Sequence, residues 1–277
     1  IPEGVTSIGK SVFESCSNLT GDLIIPEGVT SIGESAFRSC EGFNGKLSLP
    51  KSLTSIGSYA FVYCKKLTGD LTIPDNVTAI GDNAFAYCSG FNGQLSLSRK
   101  LTSMGKYAFA YCNKLTGDLI IPEGLTVIEE YVFNECERFN GKLVLPEGVT
   151  SIGGHAFTAT GFTGNLVIPN GVTDIGERAF CYCIGLRGDL TIPGSVKNIG
   201  PEAFEWSPFS GKLVLEEGIE TIGANAFAEC YGFYGDLTIP DSVTSIGSQA
   251  FSGTGIITMT IPEGITSLPN NMLTHCF

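Results

Sequence analysis

The sequence predicts a solenoid, in which one repeated unit winds into successive coils of short parallel β-strands, and two observations lead to this prediction. An apolar residue followed by proline returns about every 24 residues along the whole chain. Glycine accounts for 36 of the 277 residues, nearly twice its usual share, which indicates frequent turns. One unit of this length cannot bury both of its apolar sides, so about eleven to twelve coils must stack to form a core.

The apolar-proline step marks the same point in each unit. It occurs at Ile1-Pro2, Ile25-Pro26, Leu49-Pro50, Ile73-Pro74, Ile121-Pro122, Leu145-Pro146, Ile168-Pro169, Ile192-Pro193, Ile239-Pro240 and Ile261-Pro262. Two further units keep the apolar residue and replace the proline, at Leu97-Ser98 and Leu215-Glu216. The spacing is 24 residues at first and slips to 23 or 22 toward the C-terminus.

The first half of each unit predicts two short strands. The unit that begins at Leu71 reads LTIPDNVTAIG. Leu71 and Ile73 alternate with a polar residue, so both point to one face of a strand. That strand ends at Pro74, which has no N–H to donate. After a turn, Val77 and Ile80 predict a second and shorter extended segment.

The second half of the unit predicts one helical or 3₁₀ turn. Gly81 suits a sharp corner. The next residues, DNAFAYC, place Ala84, Phe85 and Cys88 at the spacing of a single helical turn. A leucine or phenylalanine followed by glycine closes the coil.

Equivalent residues of stacked coils lie above one another at ~4.8 Å when the strands pair in parallel. The sequence therefore predicts a buried column of phenylalanine side chains, because only burial explains so regular an aromatic position. The column comprises Phe13, Phe37, Phe61, Phe85, Phe109, Phe133, Phe157, Phe180, Phe204, Phe227 and Phe251.

A second row carries charge on the exposed face of the longer strand. Its members are Asp22, Lys46, Asp70, Gln94, Asp118, Lys142, Asn165, Asp189, Lys212 and Asp236. Like charges ~5 Å apart repel each other, and no two neighbours in this row have the same sign. We interpret the alternation as a device that favours the correct register. Each opposite pair contributes only ~0.2–1 kcal/mol, because it is exposed.

Nine of the ten cysteines share one repeat position, and Cys181 is the exception. The nine are Cys16, Cys40, Cys64, Cys88, Cys112, Cys136, Cys183, Cys230 and Cys276. Thr160, Ser207 and Thr254 replace them in three coils, so the position requires a small, partly apolar group. Stacked side chains point the same way, which keeps their Cβ atoms farther apart than the ~3.8 Å of a disulfide. Free buried thiols are favoured, with a few disulfides or a metal site as alternatives.

Charge and motif content exclude several classes of function. The net charge is −12 and the 16 Lys and Arg residues do not cluster, so no nucleic-acid groove is expected. No apolar run reaches the ~18 residues of a membrane span. His155 and His275 are the two histidines and lie ~24 Å apart along the stack. Because catalytic, metal and cofactor motifs are also absent, we expect neither an enzyme nor a cofactor site.

The best candidates for partner binding are aromatic residues on one flank of the coils, because Tyr and Trp are enriched at contact surfaces. They are Tyr63, Tyr87 and Tyr111 just before the cysteine position, Tyr182 and Trp206 at the same position in later coils, and Tyr59, Tyr107 and Tyr131 two residues before the column phenylalanine. The expected partner is a protein or a glycan. In the alternative, the rings only stack on one another and shield the flank.

The string I-P-x-x-V-T-x-I-G-x-x-A-F-x-x-C-x-x-L resembles the BspA-like, or Treponema-type, leucine-rich repeat. Residues 73–91, IPDNVTAIGDNAFAYCSGF, match it at almost every position, with Phe91 at the last leucine. The linking stretch, LTGDL or FNGKL, makes the unit slightly longer than is usual in the family. The resemblance implies a right-handed leucine-rich-repeat solenoid on the surface of bacteria or of some parasitic protists. It also implies a role as an adhesin or host-contact protein.

With this resemblance, the leading hypothesis is a non-enzymatic recognition or adhesion module of a cell-surface or secreted protein. It would bind a host or neighbouring-cell protein or glycan. The alternatives are a passive structural spacer and an accessory binding region of a larger surface protein or enzyme. We treat residues 1–277 as a single repeat domain and, because Ile1 already lies inside a repeat, expect it to be a segment of a longer protein.

Overall fold

The computed structural model describes residues 1–276, in which 21 short strands are joined by turns. The first row of strands, at the Ser-Ile position of the repeat, comprises β1 (Ser7–Ile8), β3 (Ser31–Ile32), β5 (Ser55–Ile56), β7 (Ala79–Ile80), β9 (Ser103–Met104), β11 (Val127–Ile128), β13 (Ser151–Ile152), β14 (Asp174–Ile175), β16 (Asn198–Ile199), β18 (Thr221–Ile222) and β20 (Ser245–Ile246). The second row, at the Leu-x-Ile position, comprises β2 (Gly21–Ile24), β4 (Phe43–Ser48), β6 (Leu71–Thr72), β8 (Leu95–Ser96), β10 (Leu119–Ile120), β12 (Leu143–Val144), β15 (Leu190–Ile192), β17 (Leu213–Leu215), β19 (Tyr234–Thr238) and β21 (Gly255–Thr260). Within these 276 residues, no helix is long and apolar enough to cross a membrane.

Two compact units make up the chain, Ile1–Leu125 with Tyr131–Gly141 and Thr126–Glu130 with Lys142–Phe277. In the first unit, β1, β3, β5, β7 and β9 form one parallel sheet whose paired residues are 24 positions apart. In the second unit, β11, β13, β14, β16, β18 and β20 form another parallel sheet, with partners 23 or 24 positions apart. Each unit is therefore a parallel β-solenoid with one first-row strand per coil, as the sequence predicts.

The predicted phenylalanine column is present in both units. In the first unit, ring centroids 5.0–5.5 Å apart join Phe13, Phe37, Phe61, Phe85, Phe109 and Phe133. In the second unit, centroids 5.3–5.5 Å apart join Phe157, Phe180, Phe204, Phe227 and Phe251. All of these rings except that of Phe13 are almost completely buried. The prediction that this position forms the core is confirmed.

The predicted helical or 3₁₀ turn is wrong in detail, because the segment forms three overlapping β-turns and no helix occurs in residues 1–276. In one coil, the N–H groups of Ala60, Val62 and Cys64 donate to carbonyls three residues earlier. The N–H groups of Phe61 and Tyr63 donate instead to carbonyls of the next coil. Alternate N–H groups thus leave the segment to join successive coils, and a helix cannot use them.

Coils of two kinds alternate in the first unit, and polar contacts join them at the Gly-Asp and Gly-Lys steps. Asp22 Oδ1 accepts a hydrogen bond from the backbone N–H of Lys46 at 2.7 Å. Asn44 Oδ1 accepts one from the N–H of Gly21 at 2.9 Å, and both contacts recur two coils later. The alternation that the sequence presents as a charge pattern therefore also pairs carboxylates with backbone N–H groups. This explains why the neutral Gln94 can replace a lysine.

The cysteine position has a role that its size alone did not predict. All ten cysteines are free thiols. We name the nine cysteines of this position the cysteine ladder. Thiols of this ladder donate to the carbonyl of the column phenylalanine in the preceding coil, as Cys88 Sγ does to Phe61 O at 3.0 Å. Where Ser207 replaces cysteine, its hydroxyl donates to Phe180 O at 2.6 Å. The position therefore requires a small hydrogen-bond donor rather than any small, partly apolar group.

Candidate functional site

All eight predicted binding residues lie at two repeat positions where the backbone is left-handed. The φ angle is 56–63° at Tyr59, Tyr63, Tyr87, Tyr107, Tyr111, Tyr131, Tyr182 and Trp206. Throughout residues 1–276, every non-glycine residue with positive φ falls at one of these positions or, in the last coil, two residues before or after Leu273. We name them the A position, two residues before the column phenylalanine, and the B position, two residues after it.

This conformation is unfavourable for an aromatic residue. Each A or B residue is the third residue of a β-turn that normally selects glycine or asparagine there. A residue with a Cβ atom loses ~1–2 kcal/mol in the left-handed region relative to the right-handed one. Asn83 and Asn225 represent the less strained choice at the A position. The backbone conformation therefore does not explain why tyrosine occurs at these positions. The explanation must come from what the tyrosine side chains contact.

Three tyrosines at the B position form one stack in the first unit. Tyr87 lies between Tyr63 and Tyr111, with its ring centroid 4.9 Å and 4.4 Å from theirs. Lys65 Nζ lies 5.3 Å from the ring centroid of Tyr63. Tyr87 is 36% exposed although both of its ring faces are covered, so the edges of the stack face solvent.

Three tyrosines at the A position lie beside this stack, and we name all six the tyrosine cluster. Tyr107 and Tyr131 stack with centroids 4.5 Å apart and ring planes 7° apart. Tyr59 belongs to the same row and is 40% exposed, but Asn83 stands between it and Tyr107. Burial, followed by tyrosine neighbours in both rows, raises the pKa of Tyr87. Tyr107 of the A row is therefore close enough to Tyr87 of the B row to interact with it.

Small apolar residues lie between the two rows of the tyrosine cluster. Val62, Ala86 and Ala110 lie between the A and B positions in three successive coils and are 3%, 0% and 0% exposed. An alanine methyl group is too small to exclude water by itself, so neighbouring side chains must cover it. Shielding of this flank by the rings is the alternative interpretation and stays a prediction. Tyr59 and Tyr87 are 40% and 36% exposed, so part of each phenol is open to solvent.

The other two predicted residues, Tyr182 and Trp206, lie in the second unit. Their rings are parallel with centroids 6.0 Å apart, and Trp206 packs edge-on against Tyr231 at 5.7 Å. A hydrogen bond to Glu229 raises the pKa of Tyr231 to about 12. Tyr231 was not predicted, because it follows the cysteine position whereas Glu229 occupies the B position. Each unit therefore carries its own aromatic cluster.

An acidic pair accompanies the aromatic cluster of the second unit. Burial, followed by repulsion from Glu202, raises the pKa of Glu205 to about 7. Arg178 forms an ion pair with Glu202, and Cys181 Sγ donates to Glu205 Oε2 at 3.8 Å. Burial raises the pKa of the Cys181 thiol to about 12. This thiol, the one outside the ladder, is protonated at neutral pH and serves as a hydrogen-bond donor rather than a nucleophile.

The ladder thiols that lie in the core are similarly unsuited to chemistry. Burial raises the pKa of Cys40 and Cys183 to about 11 and that of Cys112 to about 12. Because the thiolate is the reactive and metal-binding form, these groups are inert at neutral pH. Within the described part of the chain, no three His, Cys, Asp or Glu side chains are grouped so that they could hold a metal ion.

A row of shallow cavities lies beside the second-row strands. In the first unit, cavities of about 610, 540 and 400 Å³ recur at equivalent places, each next to the exposed middle residue of a strand and the proline after it. Thr72 and Pro74 line the 540 Å³ cavity, and Arg99 Nη2 lies 3.2 Å from Asp75 Oδ2 at its rim. A cavity of about 290 Å³ occupies the same place in the second unit. These cavities lack the aromatic anchors typical of strong contact sites, so the tyrosine cluster is the better candidate.

The repeated strands and the ladders of Leu, Ile and Phe define a leucine-rich repeat protein. The model of the BspA type leucine rich repeat region matches residues 1–116, 68–187 and 150–277, which together span the chain. The protein belongs to this family. No curated protein matches the chain.

Solved structures similar to this chain come from several bacteria. A leucine rich cell surface protein from Faecalibacterium prausnitzii is 27% identical over 92% of this chain and 73% of its own, with a TM-score of 0.61. A leucine-rich repeat protein from Bacteroides ovatus is 24% identical over 99% of this chain and 80% of its own, with a TM-score of 0.68. The pneumococcal vaccine antigen PcpA is 18% identical over 93% and 78%, with a TM-score of 0.52. The last two show a likeness of fold alone.

Proposed function

We propose that this chain is a non-catalytic recognition module of a cell-surface or secreted protein, and that it binds a host or neighbouring-cell protein or glycan through the tyrosine cluster. One observation carries the proposal: partly exposed tyrosines occupy backbone positions where asparagine or glycine would be less strained. Their rings are already stacked, so a partner would immobilise little further side-chain freedom on binding.

Two further observations support this function. Leucine-rich repeat solenoids present long surfaces made of equivalent positions, which suits the binding of a macromolecule. One relative of known structure, from Faecalibacterium prausnitzii, is described as a cell surface protein. The thiols of Cys40, Cys112 and Cys183, which an enzyme could otherwise use, are buried and protonated instead.

The test is a binding screen of the whole chain against arrays of purified extracellular proteins and glycans. It is repeated with Tyr63, Tyr87 and Tyr111 all changed to Ser. Ser15 and Ser39 occupy the B position with φ of 59° and 57°, so serine fits this backbone and the variant is expected to fold. We expect a ligand for the unchanged chain and at least a tenfold (~1.4 kcal/mol) loss of affinity in the variant.

Two controls make the result specific. Changing the same three residues to Phe keeps the stacked rings and removes only their hydroxyl groups. Changing Tyr182 and Trp206 to Ser removes rings at the B position of the second unit. Unchanged binding by the triple serine variant would exclude these tyrosines from the site. Failure to find any ligand would favour the passive spacer instead.

A further inference from the structure

One position in the A row of the tyrosine cluster carries no aromatic ring. Tyr59, Asn83 and Tyr107 occupy the A position in three consecutive coils. The N–H of Tyr59 donates to Asp82 O and that of Asn83 to Lys106 O, both at 2.8 Å, so these coils are in register. Asn83 therefore places a short amide where the row of rings would otherwise continue.

The B row of the same three coils shows what such a gap can hold. There Tyr87 fills the place between Tyr63 and Tyr111, with ring centroids 4.9 Å and 4.4 Å from its neighbours. Because one coil rises ~4.8 Å, Tyr59 and Tyr107 are ~10 Å apart in the A row. The backbone is also alike, with φ of 56° at the gap and 60° at Tyr87. The gap therefore has the width of one phenol ring.

We propose that this gap, named the Asn83 slot, binds an aromatic side chain of a partner protein between Tyr59 and Tyr107. The inference deepens the proposed function, on which it rests, because it names the chemical group that the tyrosine cluster accepts. Aromatic rings stacked at such distances attract each other beyond the burial of their surface. The half-buried Asn83 amide offers a donor to the face of the ring or to a hydroxyl on it.

An aromatic ring fits the slot better than a cation or a sugar. Asp82 Oδ1 already accepts the backbone N–H of Lys106 at 2.9 Å. This carboxylate, next to Asn83 in the chain, is therefore already engaged. A pyranose ring is puckered and thicker than the phenol ring that fills the equivalent place in the B row. The stacking of Tyr87 between Tyr63 and Tyr111 thus provides a precedent for a planar aromatic occupant.

The experiment uses p-cresol, the analogue of a tyrosine side chain, as the probe of the whole chain. Binding is followed by the NMR shift of the backbone amide of residue 83, and we expect a saturable shift. Asn83→Tyr fills the slot with the chain's own ring and is expected to weaken p-cresol binding at this amide at least tenfold (~1.4 kcal/mol). Tyr59→Ser removes one wall and has the same effect. Asn225→Tyr, at the A position of the second unit, is the matched control and leaves binding unchanged.

Equal binding of p-cresol by the unchanged chain and by both slot variants would overturn the proposal. So would a shift at residue 83 caused by methyl glucoside or guanidinium but not by p-cresol. The outcome is separable from the array screen. In one outcome, the chain binds p-cresol in the slot and also keeps its array ligand after the triple serine change. That result would support the Asn83 slot and exclude the stacked B-row tyrosines as the main binding site.

Discussion

Single side chains at the cysteine position act on the backbone of the coil before them. Cys88 is completely buried, and its Sγ donates to Phe61 O at 3.0 Å. The same carbonyl also accepts the N–H of Cys64, so the thiol adds a second hydrogen bond to an oxygen with two lone pairs. The cysteine ladder therefore fastens consecutive coils inside the core, where no water can replace the donor.

This role distinguishes two substitutions of similar size. We expect Cys88→Ser to keep most of the stability, because Ser207 makes the same contact through a hydroxyl. Cys88→Ala should lose about 1 kcal/mol more, the usual net value of one hydrogen bond. The free energy of unfolding, measured by urea denaturation, compares the two variants. Equal stabilities would mean that the thiol contributes only by packing.

Glu205 makes the stability of the folded protein depend on pH, and its raised pKa fixes the direction of that dependence. Its pKa in the folded protein is about 7, above the usual 4.5, so between these values the folded state holds a proton that the unfolded chain has released. The resulting stabilisation is complete below pH 4.5 and is lost as the pH rises to about 7. We expect the melting temperature to fall across this window.

The variant Glu205→Gln is expected to flatten this part of the melting profile, because glutamine cannot lose the proton. Glu14→Gln is the matched control, since Glu14 occupies the same repeat position on an exposed side chain. A decline with pH that persists unchanged in Glu205→Gln would show that another group is responsible.

At the level of elements, the building block of the first unit is a pair of coils rather than one coil. Asp70 Oδ1 accepts the N–H of Gln94 at 2.8 Å, and Asn92 Oδ1 accepts that of Gly69 at 2.9 Å. A Cβ atom on Gly93 would lie 2.1 Å from Asp70 Oδ1, so glycine is required by the close approach of the two coils. The sequences LTGD and FNGQ are thus complementary partners.

Deletions of different length test this pairing. Removing residues 67–114 takes out one complete pair and keeps the two kinds of coil alternating, whereas removing residues 67–90 brings two coils of the same kind together. We expect the larger deletion to unfold at the higher temperature. The smaller deletion loses contacts worth ~0.5–1.5 kcal/mol each. Circular dichroism melting measures the difference, and a higher midpoint for the smaller deletion would mean that the coils are interchangeable.

Across the whole molecule, features that follow the repeat could be predicted and features that depend on pairing between coils could not. The phenylalanine column was predictable because a position that recurs in every coil has one environment. The turn around Phe61 was not, since SYAFVYC has the apolar spacing of a helix. Only the donation of the Phe61 and Tyr63 N–H groups to the next coil prevents one.

Some residues of the candidate site could likewise be predicted from the repeat, and others could not. Tyr63, Tyr87 and Tyr111 could be recognised because they recur at one repeat spacing. The stacking of Tyr231 on the second cluster breaks that spacing by one residue and leaves no periodic signal. The Asn83 slot is harder still, because the absence of a ring is informative only once the neighbouring rings are known to stack.

The two left-handed positions have a consequence for how such a protein can change. Residues as different as serine, glutamate, arginine and tryptophan occupy them with φ between 54° and 63°. The framework therefore accepts very different side chains at these two positions, while phenylalanine and a thiol or hydroxyl recur close by. Evolution, or a protein engineer, could diversify two columns of residues at will and obtain new specificities on an unaltered scaffold.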